Sequence, residues 1–299
     1  MPKRLVRSIF GPRVPGGYRR KSRCFSLLEN GLVMHPDFCG RQGFEVALSL
    51  LQAELVDQGL PRGWLINWRA SEPCEASRQA ILFGRTKPEH CYRTVAAIHL
   101  SPDDEKFMND NRPKPDASKE DWLAFNLLSS EYITKNSATI YRNGQTSSNC
   151  TLHPNAHCPV RWEDSRDDSE RALSVGMGGP HCLPWSKAGG RLGPPKAGEQ
   201  QLGHLDHLAH PEMEHYNVFI GEQASGQFDF SLCEEAATMP SEHYAKPMRP
   251  KYHVIFVRFG DEDLGVPILR FRFFGAGSPI NFQREPMLAH YVHEFKNQF

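Results

Sequence analysis

The stretch VPILRFRFFG (266–275) alternates Leu269, Phe271 and Phe273 with Arg270 and Arg272. A period of two puts the apolar side chains on one face of an extended strand and the guanidinium groups on the other. GQFDFSL (226–232) repeats the pattern with Phe228, Phe230 and Leu232, and YNVFI (216–220) and KYHVIFVRFG (251–260) are apolar runs of strand length. These four segments, separated by Gly, Asp or Pro, predict antiparallel strands with one buried face. A sandwich or small barrel over the C-terminal third follows from them.

Upstream the pattern is mixed. Phe44, Ala47, Leu48, Leu51 and Leu55 share one helical face that Gly59 and Pro61 terminate. GWLINWR (63–69), QAILFGR (79–85) and RTVAAIHL (93–100) have the length and Ile, Val, Trp and Phe content of strands. SKEDWLAFNLLSSEYI (118–133) predicts a helix: Ser118 stands three residues before Asp121 in a capping-box arrangement, and Trp122, Phe125, Leu128 and Tyr132 share a face. SPDDEKFMNDNRPKPDA (101–117) is polar and proline-rich, and reads as a loop. VRWEDSRDDSERA (160–172) reads as a solvated charge run, and Gly176 to Gly203, with eight glycines and four prolines, as a long connection. The expected organisation is a basic leader (1–30), an α+β region (31–172), a Gly/Pro-rich connection (173–203) and a β-barrel-like domain (204–299).

Charge is balanced overall, with 35 basic and 35 acidic residues, so the whole molecule presents no field selecting a polyanion. Residues 1–28 depart from this balance. They hold eight basic residues, among them Arg13, Arg19, Arg20, Lys21 and Arg23, and no acid. That composition suits mitochondrial import, a nucleic-acid-binding tail or a disordered leader. It is not followed by the apolar run of about 7 to 15 residues that a secretory signal needs. No window approaches the ~20 apolar residues of a membrane span, so a soluble, intracellular protein, cytoplasmic or mitochondrial, is expected. The eight scattered cysteines read as reduced thiols rather than a disulfide framework.

Chemistry-bearing residues concentrate in GHLDHLAHPEMEHYNVFIG (203–221), with His204, His207, His210 and His215 beside Asp206, Glu212 and Glu214. Imidazole and carboxylate together suit a divalent transition metal such as Fe, Mn, Ni or Zn. On a strand, His204, Asp206, His210, Glu212 and Glu214 share one parity, and His207 and His215 the other.

HPEMEHYNVFIG resembles the end of the first cupin motif, in which His is followed by three residues, Glu, six residues and Gly; His210, Glu214 and Gly221 match this spacing. KPMRPKYHVIFVRFGDEDLGVPILRF is similar to the second motif, with His253 in the ligand position and GDED in the turn. The departures are Leu208 in the slot of the family's first His, no glycine in the second motif, and Pro247 one residue farther from His253 than usual. The resemblance covers about 75 residues and implies a cupin-like antiparallel double-stranded β-helix barrel. His210, Glu214 and His253 would hold the metal there, with His207 or His204 as a fourth ligand. The implied activity is metal-dependent oxygenase- or isomerase-type chemistry on a small organic molecule, that is, an oxidoreductase such as a dioxygenase. A second reading takes His204 and Asp206 as an H-x-D pair which, with His253, resembles the facial triad of 2-oxoglutarate/Fe(II) oxygenases; Arg258 or Arg270 would then pair with the cosubstrate. A third reading is a non-catalytic β-scaffold or interaction module whose basic leader binds nucleic acid through its phosphates; no stripe of interleaved basic and aromatic residues extends that leader into the folded region.

Two smaller candidates stand apart. CTLHPNAHC (150–158) offers Cys150, His153, His157 and Cys158, but adjacent His157 and Cys158 point apart on an extended chain, so free thiols in a loop are expected. Cys182, in GGPHCLPW, is a nucleophile only if a base lies beside it.

Overall fold

The computed structural model describes residues 30–38, 65–84, 87–163, 170–180, 208–236, 239, 241–260 and 271–279, and scattered positions between 46 and 56. The strands are β1 (Leu32–Asp37), β2 (Leu65–Asn67), β3 (Arg69–Ser71), β4 (His90–Tyr92), β5 (Ser147–Asn149), β6 (His157–Pro159), β7 (Leu173–Gly178), β8 (Phe230–Ala236), β9 (Tyr252–Gly260) and β10 (Phe271–Pro279). The helices are α1 (Glu75–Phe83), α2 (Val95–His99), α3 (Pro102–Asn111), α4 (Lys119–Lys135), α5 (Ser137–Tyr141), α6 (Met213–Ala224) and α7 (Ser241–Met248).

Eight strands form one sheet in the order β4-β3-β1-β7-β8-β10-β9, with β2 also pairing β1. Neighbours from β4 through β8 pair in parallel, and β10 pairs antiparallel with both β8 and β9. Only β10 therefore runs against the rest. β5 and β6 make a separate antiparallel hairpin. All six residues of β1 are buried, as a central parallel strand covered on both faces requires.

This sheet overturns the antiparallel double-stranded β-helix, and with it the cupin resemblance. HPEMEHYNVFIG, which that resemblance makes a strand, contains the first nine residues of helix α6. The sheet also joins strands from both sides of residue 203, so 204–299 is not a barrel of its own. The expected connection over 173–203 begins instead with β7, beside β1 at the centre of the sheet.

Helix α6 explains why its sequence looked like a strand. It lies between the sheet and α4, and Met213, Glu214, Tyr216, Val218, Phe219, Ile220, Glu222 and Gln223 are all buried. A helix buried nearly all round shows no amphipathic stripe. Its apolar side chains join Trp122, Phe125 and Ile133 of α4 and Tyr141 of α5 in the main core. Burial of each large side chain contributes roughly 1.5–3 kcal/mol. The helix sits close to the strands because β7 has glycines beneath it: a Cβ on Gly178 would lie 2.5 Å from the Phe219 ring and 2.9 Å from the Asp37 carbonyl oxygen.

Local capping fixes the other helices. Ser118 and Asp121 close a reciprocal capping box at α4, as the sequence predicts. Ser101 and Asp104 close another at α3, inside the stretch read as a loop. Thr94 caps α2 through Ala97 N. RTVAAIHL and QAILFGR are thus largely helical, in α2 and α1, whereas GWLINWR supplies β2 and the start of β3. Described positions between 46 and 56 are helical, in line with the Phe44–Leu55 periodicity. Among the described residues no helix is long and apolar enough to cross a membrane.

Candidate functional site

Of the predicted metal ligands, the described ones, His210, Glu214 and His253, do not fall in one cluster. His204, Asp206 and His207 lie outside the described residues, as do the basic leader, Cys182 and Arg270, and the side chain of Arg258. His210 stands in the turn before α6, where its Nδ1 accepts from Glu212 N at 3.1 Å. Asn126 of α4 holds that turn, its Nδ2 donating to the carbonyls of Leu208 and His210 at 2.5 and 2.9 Å. Glu214 opens α6 and receives both Nε and a terminal nitrogen of Arg112, at 2.8 and 2.5 Å. That bidentate clamp occupies the carboxylate. His253 sits at the start of β9, in register with Ser278. Among the described residues, the metal-type side chains that converge are His90, Cys150, His153 and Cys158 instead. Without the barrel, the cupin-type oxygenase or isomerase and the 2-oxoglutarate oxygenase lose the scaffold that would bring their ligands together. The oxidoreductase reading is corrected with them.

The strand order points to a different place. From β1 the chain builds outward through β3 to β4, then returns to the other side of β1 with β7 and continues to β8. The direction of winding reverses between β1 and β7. In open α/β sheets the crevice at such a reversal, outside the carboxyl ends of the strands, is where ligands bind. Here those ends are in register: Asp37 of β1 pairs with Gly178 of β7 on one side and Ser71 of β3 on the other. Glu72 follows β3, and its Oε1 accepts from Cys74 N at 2.8 Å. Gly179 follows β7, and a Cβ there would stand 3.0 Å from Oε2 of Glu234 on β8. Three carboxylates (Asp37, Glu72 and Glu234) therefore accompany the reversal point. Phe38, directly after β1, has φ of 53°. This left-handed conformation is unusual for a bulky residue, and such strain gathers where function demands a particular backbone. Its ring packs edge-on against Phe219 at 5.8 Å.

Beneath the strand ends lies a fully buried polar set. Asp37 Oδ1 accepts from Ser71 Oγ at 2.7 Å and from Arg69 at 3.2 Å. The same guanidinium pairs with Glu222 of α6, whose Oε1 also lies 2.7 Å from His99 Nε2 and accepts from Gln227 at 3.2 Å. Burial, then the Glu222 charge, holds the Asp37 carboxyl well above the usual range despite Arg69. Burial, then Arg69, holds His35 and His99 well below theirs. Asp37 Oδ2 and Glu222 Oε2 find no other donor. One proton kept on Asp37 and hydrogen-bonded to Glu222 satisfies both oxygens and leaves the set neutral, with Arg69 balanced by Glu222. A cavity of about 130 Å³ touches His35, Arg69, His99, Ser174 and Phe228.

No family model and no curated protein matches the sequence. Solved structures with a similar course of the chain include an E. coli prophage protein described as a DNA modification methyltransferase, at 11% identity over 85% of this chain and 48% of that one, with a TM-score of 0.36. The S. pombe Dnmt2 methyltransferase aligns at 11% identity over 83% of this chain and 49% of its own, TM-score 0.39. A mutant of Spodoptera frugiperda DNMT2 aligns at 10% identity over 85% and 51%, TM-score 0.38. The chain spans about half the length of the structures it matches. At these scores the likenesses carry no function to this chain; the fold stands on its own strand order and register.

Sequence reasoning missed the strand-end site because its members are single residues on separate strands. The one available signal was an acidic or glycine residue closing each apolar run, as Asp37 closes LVMHPD and Gly178 closes LSVGMG.

Proposed function

We propose that this chain is a group-transfer enzyme that binds an adenosine-bearing donor over the carboxyl ends of β1, β3, β7 and β8. The reversal of winding between β1 and β7 carries this reading. Glu72, at the end of the strand next to β1, stands where nucleotide-binding sheets set an acidic residue for the ribose hydroxyls. Glu72 and Glu234 at this edge disfavour a diphosphate and favour a cationic donor. S-adenosylmethionine, a sulfonium, fits that chemistry; when bound, it supplies an electrophilic methyl group. The chain's own residues bind and orient the adenosine.

The acceptor in this reading is a nucleic acid, which the eight basic, acid-free residues of 1–28 would hold through its phosphates. Methyl transfer is also what the names of the three solved structures state of those proteins.

Calorimetric titration with S-adenosylhomocysteine, S-adenosylmethionine, NAD and ATP tests the donor. The adenosyl sulfur compounds are expected to bind and NAD not to. Glu72→Ala should weaken binding by about tenfold or more, the loss of a hydrogen bond to a charged group. Absence of binding by any adenosine compound, or unchanged affinity in Glu72→Ala, overturns the reading. For the acceptor, deletion of residues 1–28 should flatten the salt dependence of DNA or RNA binding.

A further inference from the structure

The β5–β6 hairpin lies against β4, the outer strand of the sheet, and four ligand-type side chains meet between them. Cys150 follows β5, Cys158 lies in β6, His153 stands in the connecting turn, and His90 opens β4. His153 Nδ1 is 3.5 Å from Cys150 Sγ and 3.3 Å from Cys158 Sγ. All four ligand atoms lie within 4.8 Å of one another. Zinc bonds of about 2.3 Å to sulfur and 2.0–2.1 Å to nitrogen give a tetrahedron with edges of about 3.3–3.8 Å, so the two sulfur–nitrogen separations already fit.

Three further features favour an ion. Both cysteines are free thiols, not a disulfide. His90 Nδ1 is buried and has no hydrogen-bond partner. Cys91 N–H points at Cys150 Sγ from 3.4 Å, and the Cys91 carbonyl accepts from Thr151 N at 2.7 Å, so the β4 backbone orients the sulfur as outer-shell groups of metal sites do. The Trp68 ring meets His90 edge-on at 4.6 Å and limits its rotation. Two sulfurs and two imidazoles select zinc over the hard cations. Two thiolates would neutralise its charge, and their two protons leave to solvent on binding.

We propose that His90, Cys150, His153 and Cys158 hold one structural zinc ion that staples the β5–β6 hairpin to the edge of the sheet. Four protein ligands leave no position for substrate, so the site is structural rather than catalytic. It also covers a strand edge that would otherwise be open to pairing. Cys150, His153 and Cys158 come from one short loop, and His90 arrives from sixty residues upstream. His157, adjacent to Cys158 in sequence, is not among the four.

Elemental analysis of the full chain, purified without chelator, tests this directly. About one zinc per chain is expected, retained in His157→Ala and Cys74→Ser and lost in Cys158→Ser and His90→Ala. A cysteine variant that fails to fold would also lose zinc, so the wild type is in addition stripped and reloaded with cobalt(II). The expected spectrum has intense tetrahedral d–d bands and thiolate-to-cobalt charge transfer, diminished in His90→Ala at unchanged far-ultraviolet circular dichroism. A wild-type chain with no zinc and no cobalt spectrum overturns the proposal. So does zinc retained in the Cys150→Ser/Cys158→Ser double variant, or a Cys150–Cys158 disulfide found by mass spectrometry in freshly prepared protein.

Discussion

Arg69 and His90 are register partners on β3 and β4, yet they belong to polar clusters that solve burial in opposite ways. Around Arg69, one guanidinium, two carboxylates and a neutral imidazole become balanced once a single proton is shared between Asp37 and Glu222. Around His90, two thiols and two imidazoles offer more lone pairs than good donors, and His90 Nδ1 is left alone. The first cluster balances its charges within the chain, although His99 Nδ1, like His90 Nδ1, is buried without a hydrogen-bond partner. The second would be completed by the proposed zinc ion. The difference teaches that charge balance, and not an orphaned imidazole nitrogen by itself, separates a polar core element from a metal site.

The largest expected effect breaks the self-contained cluster. Glu222→Ala takes the principal counter-charge from buried Arg69, leaves Asp37 to ionise in a dry site to balance it, and strips His99 and Gln227 of their acceptor. It should cost about 3–5 kcal/mol, the usual penalty for breaking a buried ion pair. Urea unfolding measures it. A loss below about 1 kcal/mol would mean that the guanidinium finds water and the set is not closed. Next in size is removal of the cation from the other cluster. Binding stabilises the edge by about 2.7 kcal/mol when free zinc stands 100-fold above its Kd. Chelation should therefore speed amide exchange in β4, β5 and β6 and leave α6 and β7 protected. Uniform acceleration across the sheet would erase the distinction between the two regions.

The two clusters also differ in how far the sequence revealed them. CTLHPNAHC shows three of the four zinc-type ligands within nine residues, but strand parity made His157 and Cys158 rivals, and nothing local announces His90. The Asp37–Arg69–Glu222–His99 set was wholly hidden, since each member comes from a different element and looks like an ordinary charge. Fold legibility follows the same physics. α4 was readable because its capping box is local and one face is buried. β8, β9 and β10 were readable as strands from their alternation and length, but not their partners, because the parallel pairing of β8 with β7 joins residues 55 apart (Val175 with Phe230). α6 was misread because burial on nearly all sides removed its periodicity, and the cupin spacing of His210, Glu214 and Gly221 then filled the gap. α3 was misread because its sequence is polar apart from adjacent Phe107 and Met108, too few for a helical period, and only its N-terminal box marks it as a helix.

A smaller effect sharpens the claim of a shared proton. Asp37→Asn reproduces a protonated carboxyl, with an amide to donate toward Glu222 and an oxygen to accept from Arg69 and Ser71. It should change stability by about 1 kcal/mol or less below pH ~4, where Asp37 is protonated in the folded and the unfolded chain alike. The sign of its pH dependence decides the matter. The folded Asp37 pKa is raised, so its contribution is fully present below the unfolded value of about 3.9 and is lost as pH rises toward the folded one. Relative to the Asn variant, the wild type should therefore weaken between pH 5 and pH 8. A difference that stays flat over that range would show Asp37 ionised in the folded chain as in the unfolded one, and the proton absent.

The smallest effect lies on the acid side. His35 and His99 are held neutral by burial and by Arg69, so the unfolded chain takes up protons that the folded chain refuses once pH falls below about 6.5. Their contribution is complete above that value and declines below it. Replacing His99 with Gln should remove less than about 1 kcal/mol of the stability change between pH 7 and pH 6. The zinc cluster should respond to the same acidification through its ligands, because protons compete with the metal for imidazole and thiolate. Following unfolding free energy and free zinc together in one titration separates the two. A loss of stability that tracks zinc release, and is unaltered in His99→Gln, would assign the acid sensitivity to the sheet edge. A loss that precedes release and shrinks in His99→Gln would place it in the buried network around Arg69.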